Sequence, residues 1–254
     1  MRSTFMASLA AAFLALAACG GAPQDDGDTT ATTQDLLTSA GAGAPPTGSL
    51  PPGAPRALGG QPQQQTVDIA VMGVDRGDDD APVRVVEFSD YGCGYCRRFH
   101  QETWPVLVDE FIGVGKVEWK FLPYVAGMFP NSPAATEAAE CVLEQGDALF
   151  DGMNAAVWNN QSEWKNASDP APVLRSLAAN AGADMEQFDG CLLEGRRRWR
   201  VEAATALARQ LGVRATPTFF VVGYPPMQGA LPTDMFQEIL NLVYAEATKT
   251  GGDR

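Results

Sequence analysis

The sequence predicts an α/β fold: a mixed sheet flanked by helices, with an inserted helical domain. Three observations predict it. Val83–Ser89 is a near-continuous apolar run of the kind shown by a strand buried on both faces. It feeds into a helical pattern, after which Val117–Leu122 alternates, with Val117, Trp119 and Phe121 on one side. Beyond a long helical middle, strand pattern returns at Thr218–Val222, followed by a turn and a last helix. A parallel unit followed by an antiparallel hairpin makes a mixed sheet with helices on both faces.

The elements follow in order. Val67–Met72 reads as a short strand, Gly77–Pro82 as a turn and Val83–Ser89 as the buried strand. A helix is expected from about Cys93 to Phe111, kinked at Pro105, which has no N–H to donate. Ser132-Pro133 reads as a cap followed by proline at the first helical position, with Gly146 as the stop. Leu149, Phe150, Met153 and Val157 stand at helical spacing within Asp147–Asn160. Further helices are expected at Pro172–Asn180, Asp184–Glu194 and Arg196–Leu211, the last closed by Gly212. Gly223–Pro226 is a turn, Met227–Ala230 a short strand, and Thr233 caps a helix carrying Phe236, Ile239, Leu240 and Val243 inward. The helical insertion spans about 127–200, inside a folded part running 67–254.

The N-terminal region has a different composition. Arg2 precedes the apolar stretch Phe5–Ala18, too short to span a bilayer comfortably, so residues 1–18 read as a signal peptide. The stretch ends Leu16-Ala17-Ala18-Cys19, which resembles a bacterial lipobox with Cys19 as the lipidated residue. Lipid chains on Cys19 would hold the protein at an extracytoplasmic, periplasmic membrane face of a bacterial cell envelope. Residues 20–66 are rich in Gly, Pro, Ala, Thr and Gln and hold no aromatic residue. Such a segment cannot bury enough apolar surface to fold, and as a flexible coil it reaches about 40 Å. The net charge of −13, with no basic stripe to offset it, argues against a nucleic-acid partner.

Chemistry concentrates at Cys93-Gly94-Tyr95-Cys96, placed between the buried strand and the helix it opens. The first sulfur lies where unpaired backbone N–H groups and the positive end of the helix dipole meet, which lowers a thiol pKa. The second lies one turn on, near enough to close a disulfide, so the pair reads as an attacking and a resolving sulfur. A structural zinc site needs about four ligands, and Cys19, Cys141 and Cys191 are isolated, with His100 the only histidine. No metal is expected. A purely structural disulfide is the remaining plain reading of the pair.

Four pieces then carry a resemblance over about Val67–Ala247. They are Ala81-Pro82-Val83 through Glu87-Phe88-Ser89-Asp90-Tyr91 into the dithiol; Ala138-Ala139-Glu140-Cys141 through Gly146; Gly212-Val213-Arg214-Ala215-Thr216-Pro217-Thr218-Phe219; and Gly229-Ala230-Leu231-Pro232. Together they resemble a DsbA-like thiol–disulfide oxidoreductase: a thioredoxin-like mixed sheet carrying an inserted helical domain. The resemblance implies Cys93 as nucleophile and Cys96 as resolving thiol. It implies a cis peptide at Pro217, turning the Thr216 backbone toward Cys93 to pair with a substrate peptide. It implies Glu87 as a buried acid able to move a proton to or from Cys96. It also pairs Cys141 with Cys191 in a structural disulfide, worth up to about 4 kcal/mol by loop entropy. His100 reads as a surface or packing residue, and Arg196-Arg197-Arg198 as a solvated helix start.

On this resemblance the protein exchanges disulfides with exported proteins through Cys93 and Cys96, as a dithiol oxidase with no cofactor beyond its redox-active disulfide. A membrane partner of the DsbB or VKOR type would regenerate the oxidase, with one of the DsbD type serving the reductase direction. The alternatives are a reductase or isomerase, or a non-enzymatic lipid-anchored redox sensor or copper carrier. A dimeric isomerase is disfavoured because a tether stands where such proteins carry a dimerisation domain.

Overall fold

The computed structural model describes residues 68–250. The signal segment, Cys19 and the tether lie outside the described residues. Five strands form one sheet in the order β1-β3-β2-β4-β5. They are β1 (Val74–Arg76), β2 (Val83–Ser89), β3 (Val117–Pro123), β4 (Thr218–Val221) and β5 (Met227–Gln228). β2 runs parallel to β3 and antiparallel to β4, and β1 and β5 pair antiparallel at the edges. The parallel unit and closing hairpin expected from sequence are both present.

The strand expected at Val67–Met72 is not. Ile69–Val71 forms one turn of 3-10 helix, capped by Asp68, whose side chain accepts from the Ala70 N–H at 3.0 Å. The chain then bends at Gly73, with φ 61°, and a Cβ there would lie 2.1 Å from the Phe121 carbonyl oxygen. Only past this bend can it pair with β3, so the strand begins at Val74.

Side-chain alternation sorts the core into layers. Val83, Val85, Val117, Trp119, Phe219 and Val221 face one side of the sheet, where they meet Phe99, Leu107 and Phe111 and the C-terminal helix. Phe88 and Leu122 face the other, against Ala204, Leu207 and Ala208 of a second helix. Phe88, Trp119 and Phe219 are fully buried, each worth roughly 2–3 kcal/mol of transfer free energy.

After β2 the helical run comprises α1 (Gly94–Arg98), a π turn (Phe99–Thr103), α2 (Trp104–Leu107) and a second π turn (Val108–Ile112). Pro105 does not break it. The proline sits in the first turn of α2, where a missing N–H costs little, and the run widens on either side. Trp104 and Gly113 donate to Phe99 and Val108, five residues back.

Five helices follow: α3 (Ser132–Leu143), α4 (Asp147–Asn159), α5 (Gln161–Trp164), α6 (Ala171–Asn180) and α7 (Met185–Glu194). They enclose their own core, with Phe150, Met153, Trp158, Trp164, Leu174 and Phe188 buried. Asp184 caps α7 by accepting from the Glu186 and Gln187 N–H groups. Gly195, at φ 63°, ends it. α8 (Arg198–Gln210) returns to the sheet, and α9 (Thr233–Thr250) closes the chain. Among the described residues no helix is long and apolar enough to cross a membrane.

Candidate active site

β2 delivers the site. Val85, Glu87 and Ser89 share one face of the strand, and the chain then turns through Asp90–Gly92 so that Cys93 stands as the cap residue of α1. The turn is fixed from several sides. The Cys93 N–H donates to the Asp90 carbonyl at 2.9 Å, and the Gly92 N–H to Asp90 Oδ1 at 2.8 Å. Gly92 must be glycine, since an added Cβ would lie 2.3 Å from Phe129 Cβ. From the inserted helices, Gln161 Nε2 donates to the Tyr91 and Cys93 carbonyls at 2.6 and 3.0 Å. Tyr91 is buried against Trp158, with ring centroids 4.5 Å apart, and its hydroxyl donates to Asn154 at 2.8 Å.

The two sulfurs are free thiols in unlike surroundings. Cys93 is 5% exposed and its pKa is lowered to about 5. The largest cause is the Cys96 thiol donating to its sulfur; Thr216 and the N–H groups of Cys96 and Tyr95 add to it, against the cost of burial. The backbone donors expected from sequence are therefore present, but they rank behind the partner thiol. Cys96 is fully buried, and that burial, together with the neighbouring Cys93 sulfur, holds its pKa well above the ordinary thiol value.

Across the dithiol, the Thr216–Pro217 peptide is cis, and the Cys93 thiol donates to the Thr216 carbonyl at 3.3 Å. The Pro217 carbonyl accepts from Gly229 at 2.8 Å, which ties this loop to β5. Cys141 and Cys191 form a disulfide between α3 and α7, with Cα atoms 5.7 Å apart.

Three sequence readings need correction. His100 is neither at the surface nor mere packing: it is buried, and its Nε2 lies 2.8 Å from Glu87 Oε1. One turn after Cys96, it faces the sheet and stacks on Trp158 at 4.5 Å. Trp119 Nε1 donates to the other Glu87 oxygen at 3.0 Å, so both oxygens of this fully buried acid are occupied. The arginine run does lead into α8, with the Arg198 side chain 55% exposed, but every member is ion-paired. Arg196 pairs with Glu144 and Glu194, Arg197 with Glu140, and Arg198 with Glu137. Buried Arg200 adds a 2.8 Å bond to Glu140 and donates to the Val71 and Gly73 carbonyls, clasping the start of the described chain to α3. Ser132 caps nothing; it opens α3 with its hydroxyl donating to Asp90 Oδ1. Asp90, Ser132, Gln161 and His100 were thus missed as site residues, because their partners lie far away in sequence.

Between the helical run and α4, a cleft of about 640 Å³ reaches Glu87 and His100 between Trp104, Trp158, Phe121 and Phe150. Among the described residues no cluster of His, Cys, Asp and Glu is arranged to hold a metal ion.

A strand-fed dithiol capping a helix, a cis-proline loop against it and an inserted helical domain define a DsbA-like member of the thioredoxin superfamily. The chain belongs to the thioredoxin family, whose model matches residues 70–241. A probable disulfide bond formation protein D of Bacillus cereus is 29% identical over 151 residues, covering 58% of this chain and 68% of that protein. The disulfide bond formation protein D of Bacillus subtilis is 28% identical over 146 residues, 57% of this chain and 65% of its own. A Na(+)/H(+) antiporter NhaA 3 of Salinispora tropica is 35% identical over 148 residues, but the chain spans only 21% of it, so the match brings no transport function. Among solved structures, oxidised BdbD from Bacillus subtilis superposes with a TM-score of 0.61 at 26% identity, over 67% of this chain and 92% of that one. The α-DsbA1 of Wolbachia pipientis shares the fold, with a TM-score of 0.62 at 23% identity, over 71% and 97% of the two chains.

Proposed function

We propose that this protein is an extracytoplasmic thiol–disulfide oxidoreductase that oxidises dithiols in exported proteins. The observation that carries the reading is the asymmetry of the pair: Cys93 ionises near pH 5 while Cys96 keeps its proton. A stabilised Cys93 thiolate favours the reduced enzyme, so its disulfide is readily given away.

A client thiolate attacks the Cys93 sulfur of the Cys93–Cys96 disulfide. The S–S bond breaks, and its electron pair goes to Cys96, which takes a proton. The second client thiolate attacks the client sulfur of the mixed disulfide, forming the client disulfide and releasing Cys93 as thiolate. The Thr216 and Pro217 backbone offers extended pairing to the client beside this sulfur. A membrane partner of the DsbB or VKOR type then accepts two electrons and restores the disulfide. Lipidation of Cys19 would keep the enzyme at the bilayer face where such a partner sits.

The test is turnover. The oxidised protein should accelerate disulfide formation in a reduced model substrate, and Cys93→Ser should abolish it. A dithiol–disulfide equilibrium against glutathione near about −120 mV supports an oxidase, and one near about −270 mV would make the protein a reductase instead. A redox-dependent partner without turnover would make it a sensor.

A further inference from the structure

Glu87 is the acid that sequence singles out, yet both its oxygens are engaged, by His100 and Trp119. A different acid stands closer to the chemistry. The Asp90 main chain touches both cysteines: its carbonyl accepts from the Cys93 N–H at 2.9 Å, and its own N–H supports the Cys96 sulfur. Asp90 as a whole is 1% exposed. Oδ1 accepts from Gly92 and Ser132, while Oδ2 is buried without a hydrogen-bond partner.

A buried carboxylate oxygen without a donor is costly, and protonation removes the cost. The titratable groups beside it are Cys93 and Cys96 of the dithiol turn. From α3 comes only the Ser132 hydroxyl, and from the preceding loop the Ala126 N–H. Among the described residues no lysine or arginine pairs with Asp90. The one charge that changes beside it during the reaction is on Cys93: a thiolate in the dithiol, nothing in the disulfide.

We infer that Asp90 is the proton-holding residue of this dithiol, a carboxylic acid while Cys93 is a thiolate and a carboxylate once the disulfide forms. The inference rests on the redox reading of Cys93 and Cys96. The balance is explicit. Cys93 thiolate, Cys96 thiol, Asp90 carboxylic acid and an incoming disulfide give the Cys93–Cys96 bond, Asp90 carboxylate and two small thiols. One of their protons comes from Cys96 and the other from Asp90. Burial acts in the direction this requires, raising the Asp90 pKa above the ordinary carboxylate value, with the Cys93 charge adding to it.

The experiment is infrared difference spectroscopy of the whole protein during stoichiometric reduction by dithiothreitol near pH 6. It is paired with the pH dependence of the glutathione equilibrium from pH 5 to 8. A protonated-carboxyl band should appear on reduction, survive Glu87→Gln and vanish in Asp90→Asn. The glutathione equilibrium should be nearly flat with pH in wild type, where both protons come from the enzyme, and depend more steeply on pH in Asp90→Asn, which must draw one proton from solvent. Ser132→Ala keeps the acid but removes a donor from Oδ1. It should move the band's disappearance to higher pH, and it serves if Asp90→Asn fails to fold. A band unchanged by redox state, lost in Glu87→Gln, or retained in Asp90→Asn overturns the inference, as does an equal pH dependence in wild type and Asp90→Asn. Failure of Cys93 and Cys96 to equilibrate with glutathione at all overturns the proposed function as well.

Discussion

Lowering pH from 7 to 4 should erase a stability advantage that only the reduced protein has. The Cys93 thiol titrates near pH 5 in the fold, against 9.0 for an unperturbed thiol. Because the folded pKa is the lower one, the contribution is complete above pH 9, falls as pH drops toward 5, and is gone below that. At pH 7 it amounts to about two pKa steps, or about 3 kcal/mol. The oxidised protein has no thiolate and gains none of it. For a domain of this size about 3 kcal/mol is roughly 6–12 °C in Tm. It also makes the disulfide about 60 mV more oxidising than that of a dithiol with ordinary pKa values. Paired thermal melts of the oxidised and dithiothreitol-reduced protein at pH 7 and pH 4 measure it, with the difference between redox forms as the readout. Asp90 acts oppositely: its raised folded pKa favours the fold at low pH and loses that effect as pH rises through the folded value. Repeating the melts in Asp90→Asn removes this contribution. If the gap between oxidised and reduced Tm is the same at both pH values, the thiolate is not stabilised by the fold and the argument for an oxidase is refuted.

Two further outcomes are expected. Cys141→Ala with Cys191→Ala opens a loop spanning a sequence separation of 50. It should destabilise the protein to denaturant by up to about 4 kcal/mol while leaving Cys93 alkylation at pH 7 unchanged. Arg200→Ala strips Glu140 of its closest cation and removes the Arg200 donors from the Val71 and Gly73 carbonyls. About 3 kcal/mol should be lost in the same assay, with Arg200→Lys recovering only part of it.

The sequence was most legible where local rules and tertiary needs agree. Val83–Ser89 is apolar because both its faces are covered, and it forms a strand with those bounds. Gly212 lies just past the last turn of α8 with φ 72°, as a helix-stop glycine should. Cys93 and Cys96 declare themselves by spacing. Legibility failed where the partner is distant. The apolar pattern of 67–72 suggests a strand, whereas β1 is a three-residue edge strand carrying Asp75 and Arg76, set by the bend at Gly73. His100 has no local signal for burial; its reason is Glu87, thirteen residues back across the helix–strand interface. The acids that neutralise Arg196–Arg198 include Glu137, Glu140 and Glu144, more than fifty positions upstream. Asp90 looked like one residue of a matched stretch, and only the orphaned Oδ2 sets it apart.

The groups that tame the dithiol turn arrive late in the chain. Ser132 and Gln161 stand well downstream of Cys93, and Thr216 comes 123 residues after it. A nascent polypeptide emerging N-terminus first therefore exposes the two cysteines without the Ser132, Gln161 and Thr216 contacts for much of its synthesis. The Thr216 share of the ionisation at position 93 becomes available only when the last third of the chain has been made and β4 has docked beside β2. Maturation itself thus acts as a safety catch, keeping an electrophile-seeking sulfur dormant until the molecule that must control it is whole.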